Sequence, residues 1–109
     1  MNSRSKGKRG ELELAEFLRE HGHTARRGQQ YSGTETSADI VCETLEGVHI
    51  ECKRTESGNP YNWLAQAIRD SAGNKTPVVF HRRSRQDWIV VMRAEDFLNL
   101  KGSPDGQAL

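Results

Sequence analysis

Residues 38–54 read ADIVCETLEGVHIECKR, and this stretch decides the fold. Two runs rich in β-branched residues, 38–43 and 47–54, are separated only by Thr44, Leu45 and Glu46, which predicts two antiparallel strands in a hairpin. The second run alternates: Val48, Ile50 and Cys52 point one way, His49, Glu51 and Lys53 the other. Paired strands lie about 5 Å apart. Asp39 on the first strand and Glu51 on the second can therefore converge on one hard cation, with Lys53 beside it. An oxygen-rich site of this kind suits Mg²⁺, with Mn²⁺ able to substitute.

Working outward toward the N-terminus, residues 5–21 predict a helix. Leu12, Leu14, Ala15, Phe17 and Leu18 make a broad apolar face, with Glu13, Glu16, Arg19 and Glu20 opposite. Gly22 is placed to stop it. Glu11 breaks the pattern: at about 100° per residue it falls near the middle of the apolar face. A carboxylate aimed inward needs a partner, a proton or a metal. Residues 23–28 predict a strand and 29–37 a polar loop.

Toward the C-terminus, SGNP at 57–60 signals a turn and the start of a second helix over 61–72, whose apolar stripe is Trp63, Leu64, Ala67 and Ile68. Residues 78–80 and 88–91 predict two closing strands joined by a basic loop, and 94–100 a short final helix. Residues 1–4 and 101–109 are expected to be flexible. The order α-β-β-β-α-β-β implies one α/β (α+β) domain over 1–109, a mixed sheet flanked by helices.

The chain is long enough for one core only. Its net charge of +1 conceals local clusters: Arg4, Lys6, Lys8 and Arg9, then Arg26 and Arg27, then Arg82, Arg83 and Arg85. Such a balance is compatible with a basic face beside an acidic metal site, and equally with ordinary solvated surface. Cys42 and Cys52 lack metal-binding spacing and read as reduced, buried thiols. No apolar run approaches the roughly 20 residues of a membrane span, and no secretory signal is visible. The expectation is a cytoplasmic protein with no membrane partner.

Taken alone, a Glu-x-Lys on a strand face usually means a surface ion pair. The ordered set argues otherwise. Glu11, then Ala38 and Asp39, then ECK at 51–53 resembles the PD-(D/E)XK nucleases, and more closely the archaeal-type Holliday-junction resolvases with their phage and bacterial relatives. KGKRGELEL at 6–14 is similar to that group's opening, a basic Lys-Gly leading into a helix with a catalytic glutamate. YSG at 31–33 is similar to its Ser-Gly loop, and PVVF at 77–80 and WIVV at 88–91 match its closing strands. The resemblance covers roughly residues 5–98. Two departures stand out: Ala38 replaces the family's proline, and Glu35 makes the 29–37 loop acidic.

The resemblance implies a restriction-endonuclease-like core and a metal-dependent DNA endonuclease. Glu11, Asp39 and Glu51 would hold Mg²⁺, and Lys53 and Gln66 would join them in catalysis. The metal would bind the scissile phosphate and acidify the attacking water. Lys53 would stabilise transition-state charge or orient the water. Lys6, Lys8, Arg9, Arg26, Arg27, Ser32, Arg82, Arg83 and Arg85 are the candidate DNA contacts. Branched DNA is the expected substrate and a homodimer the expected assembly, since a two-fold dimer offers the paired cuts that a four-way junction requires. The alternatives are a restriction-like, repair or nicking nuclease on linear or flapped DNA, and a non-catalytic DNA-binding module on the same scaffold. His49 shares the Glu51 face and reads as a neutral residue that does not ligate. Trp63 and Trp88 read as core or interface anchors.

Overall fold

The computed structural model describes residues 3–28 and 38–100. Helix α1, Ser3–Glu20, starts two residues before the expected boundary. Its buried line runs Gly10, Leu14, Ala15 and Leu18, the repeat of one helical face. Leu12, expected on that face, lies to its side and is 46% exposed. The helix ends in a Schellman motif: Gly22 takes φ 90°, His23 N–H donates to Leu18 O, and Gly22 N–H to Arg19 O.

Strands β1 (Ala25–Arg27), β2 (Ile40–Cys42), β3 (Val48–Arg54), β4 (Thr76–Arg82) and β5 (Ile89–Val91) form one sheet in sequence order. The pairs β1/β2, β2/β3 and β4/β5 are antiparallel, and β3/β4 is parallel. The predicted hairpin is present, with a 3-10 turn at Glu43–Leu45 as its connection. β1 and β2 are shorter than the sequence suggests, and β4 is longer because Thr76, Pro77, His81 and Arg82 continue the ladder with β3. A parallel pair needs a long crossover. Helix α2 (Pro60–Ser71) provides it: Asn59 caps its start by accepting from Tyr61 N–H, and Pro60 occupies the first turn. Helix α3 covers Ala94–Leu100.

Alternation along β3 gives the sheet two unlike faces. Val48, Ile50 and Cys52, with Ile40, Cys42 and Phe80, pack against Leu14, Ala15 and Leu18 of α1 in the apolar core. The other face carries His49, Glu51 and Lys53, with Pro77, Val79 and His81 beside them on β4. α2 covers that face, its Trp63 ring 4.5 Å from His81.

Two glycines set the distances between layers. A Cβ on Gly10 would lie 2.6 Å from Arg54 Cβ, and one on Gly28 would lie 2.1 Å from Ala38 O. Gly10 therefore lets α1 settle onto β3. Gly28 lets the end of β1 close on the segment that leads into β2, where its N–H donates to Asp39 O at 2.7 Å.

Candidate active site

Asp39 is placed by backbone. Its N–H donates to Ile50 O at 3.1 Å, and its Oδ2 accepts from Cys52 N–H at 2.9 Å. With Ile40 paired to Ile50, the antiparallel register brings Asp39 opposite Glu51. Asp39, one residue before β2, thus stands across from Glu51, and its charge raises the Glu51 carboxyl.

Glu51 is almost enclosed, its side chain 7% exposed, and its Oε2 lies 2.7 Å from His49 Nε2. Burial is the main reason that its carboxyl sits above the usual range; the His49 bond opposes this, while Asp39 and Asp70 add to it. Glu11, whose side chain is 15% exposed, accepts from Arg27 Nε at 2.8 Å. It too is raised, by burial first and by Asp39, against the lowering effect of Arg27. The Cys52 thiol is pushed far up by burial and by the charges of Asp39, Glu11 and Glu13. A thiol held protonated in this way is no nucleophile.

Asp39 is thus the link in the acidic region: its charge raises both Glu11 and Glu51. Among the described residues no three His, Cys, Asp or Glu side chains converge tightly enough to hold a metal ion. The expected three-acid cluster is instead a chain, with Glu11 engaged by Arg27 and Glu51 by His49. The donor set still suits Mg²⁺, which binds through one or two carboxylates plus waters and substrate phosphates and seldom sits in an all-protein cage. Negative charge on half-buried Asp39 beside buried Glu51 is what a cation would relieve.

Lys53 is partly exposed on the Glu51 face, and its side chain makes no ion pair or hydrogen bond among the described residues. Its backbone carbonyl accepts from His81 Nδ1 at 2.8 Å. Gln66 is exposed on α2, one turn before Asp70, and touches neither Lys53 nor Glu51 through any hydrogen bond among the described residues.

The basic candidates divide. Lys8, Arg9, Arg26, Arg83 and Arg85 are exposed. Arg27 and Arg82, also expected as DNA contacts, are bonded within the chain. Arg27 holds Glu11, and Arg82 is the last residue of β4, bonded to Glu13 and to Gln86 O. Glu13 is correspondingly half-buried between Arg54 and Arg82 and does not belong to the solvent face of α1. The side chain of Lys6, and Ser32, Glu35 and the rest of 29–37, lie outside the described residues, as does 101–109.

Sequence reasoning missed the bonds of His49 and His81. The period-two alternation placed His49 beside Glu51, and only packing shows the bond. His81 was reachable by pairing 76–82 with 48–54, but the predicted strand stopped at Phe80. Cys42 is buried, as expected, while Cys52 is only partly so; both are free thiols.

The sequence profile of a family described as "Phage putative PDDEXK endonuclease" matches residues 2–105. The fold is similar to that of Archaeoglobus fulgidus Hjc, a Holliday junction resolvase from an archaeal hyperthermophile. The TM-score is 0.57 at 23% identity, over 80% of this chain and 72% of that one. Comparison with curated proteins returns no match. The five-stranded mixed sheet with its helices accordingly has the restriction-endonuclease-like arrangement expected from the sequence. No helix among the described residues is long and apolar enough to cross a membrane.

Proposed function

Because the chain belongs to the phage PDDEXK endonuclease family, we propose that it is a Mg²⁺-dependent endodeoxyribonuclease acting on branched DNA, with Asp39 and Glu51 as the metal-holding pair. The observation that supports this reading is Asp39 standing across from buried Glu51, whose carboxyl its charge raises, with the Lys53 ammonium two residues further along β3 making no ion pair or hydrogen bond among the described residues.

A bound divalent cation would supply charge neutralisation at the scissile phosphate and a more acidic attacking water. The chain's own groups do the rest. Asp39, fixed by the Cys52 N–H, and Glu51, fixed by His49, face the phosphate as oxygen donors. As the water oxygen bonds to phosphorus and the ester oxygen departs, negative charge grows on the phosphoryl oxygens, and Lys53 stabilises it or orients the water. Glu11 acts from one remove: it shares its charge with Arg27 and adds to the negative field at Asp39. Gln66 would reach the site only through contact with substrate.

Exposed Lys8, Arg9, Arg26, Arg83 and Arg85 supply phosphate contacts, which steer and position without reading sequence. Likeness of fold to a Holliday junction resolvase makes a four-way junction the first substrate to try. Paired cuts there call for two active sites related by a two-fold axis. Ile89, Val90, Phe97 and Leu98, all about half exposed or more, are apolar surface of the kind a second copy would cover.

The test compares labelled four-way junction, flap and plain duplex at matched salt, with and without Mg²⁺. Junction cutting with Mg²⁺ is expected, reduced at least about 10²- to 10³-fold by Asp39→Ala or Lys53→Ala in folded protein. Undiminished cutting by those variants removes the site assignment, and preference for plain duplex removes the branched substrate.

A further inference from the structure

We infer that His49 is a positioning residue for Glu51: its Nε2–H holds one carboxylate oxygen, so that the other is presented toward Asp39 for the cation. This rests on the reading of Asp39 and Glu51 as metal ligands.

The argument begins with the strand. Residues two apart on β3 project from the same face, so the imidazole and the carboxylate are neighbours by construction. Both are enclosed, at 4% and 7% side-chain exposure, and 2.7 Å separates Nε2 from Oε2. A glutamate side chain has three rotatable bonds, and freezing them costs rotamer entropy. A ligand that must be ordered anew for each metal ion binds it less well than one ordered in advance. His49 is itself locked by burial on the sheet face, so its bond fixes the glutamate at the far end of its chain.

The choice of histidine is informative. A guanidinium in this place would hold the carboxylate and neutralise it as well, which is what Arg27 does to Glu11. An imidazole can donate the same bond without carrying a full charge. It orders Glu51 and leaves its negative charge for the cation. Glu51 has no Arg or Lys partner among the described residues, while Asp39 and Asp70 lie close enough to raise it. Without the His49 bond, the Glu51 carboxylate would lose the contact that fixes its far end and could swing away.

The test titrates Mn²⁺ into the intact, DNA-free protein, read by calorimetry and by the electron paramagnetic resonance of free Mn²⁺. Asp39→Asn, expected to lose binding, reports on the site itself. His49→Met keeps volume and removes the donor; His49→Gln places an amide N–H close to the Nε2 position. His49→Met should weaken Mn²⁺ binding roughly 10- to 100-fold, and His49→Gln should restore most of it. If His49→Met does not fold, His49→Asn takes its place, since its amide is too short to reach Glu51 and should bind as weakly. Wild-type affinity in folded His49→Met or His49→Asn overturns the inference, and so does His49→Gln binding as weakly as they do. If wild type fails to bind Mn²⁺, or Asp39→Asn binds equally well, the metal-site reading falls and His49 with it. If Asp39→Asn loses binding while His49→Met keeps it, only the role of His49 falls.

Discussion

Two groups of carboxylates flank β3, and they are solved differently. At the C-terminal end of the strand, Glu13 accepts from Arg54 and Arg82, and Glu56 accepts from Arg54 and from the Ser84 N–H and hydroxyl. Two acids meet two arginines, and the Glu56 carboxyl is pulled below its usual range, first by its bonds to Ser84. Near Asp39, Glu11 accepts from Arg27 and Glu51 is bonded to His49, yet burial keeps both carboxyls raised. The first group ties α1, β3 and the β4–β5 loop together. In the second, burial outweighs the bonds that Glu11 and Glu51 make. A carboxyl lowered by its partners marks structure, and carboxyls that burial holds raised beside Asp39 mark a candidate place for a ligand.

The largest effect that separates the two groups is metal stabilisation. At 100 times its dissociation constant, Mg²⁺ or Mn²⁺ should stabilise the fold by about 2.7 kcal/mol, seen as a rise in Tm. Asp39→Asn should lose that rise and Glu13→Gln should keep it. Equal loss in both would erase the distinction. Next, Glu13→Gln without metal should cost about 1 kcal/mol, since its pairs are partly exposed and screened. That is a fall of roughly 4–8 °C in a domain of this size. No change in Tm would show the network to be incidental.

The smallest effect is one of sign. Glu51 binds its proton more tightly in the fold than in the unfolded chain, whose value is near 4.5. Its favourable contribution is therefore complete below that pH and is lost as pH rises through the folded-state value. Glu51→Gln removes the penalty, so the metal-free variant should melt a few degrees above wild type at neutral pH, with the gap closing in acid. A lower Tm at neutral pH would mean that His49 compensates fully for burial.

Much of the fold was legible. The hairpin, the Gly22 stop and the Asn59–Pro60 start follow from period and turn chemistry, which act over a few residues. Strand ends were less so. Pro77 and His81 do not resemble the interior of a strand, and they join β4 only because β3 lies parallel beside them. The pairing of Arg27 with Glu11 and of Arg82 with Glu13 was not legible, because a sequence shows charge and not its nearest opposite charge. Leu12 and Glu13 exchanged their expected environments for a related reason. The close approach of Gly10 to Arg54 puts the Gly10, Leu14, Ala15 and Leu18 line against the sheet, which the helical period alone does not choose.

The sequence by itself determined that Asp39 would stand across from Glu51 and that Lys53 would share the Glu51 face, because hairpin pairing and the two-residue strand period are local and leave little freedom. Only the tertiary structure decided how the charges are shared: Arg27 with Glu11, His49 with Glu51, Arg54 and Arg82 with Glu13. Those partners come together through packing at close range. Burial, which sets whether a carboxylate is eased or strained, exists only once the layers have closed.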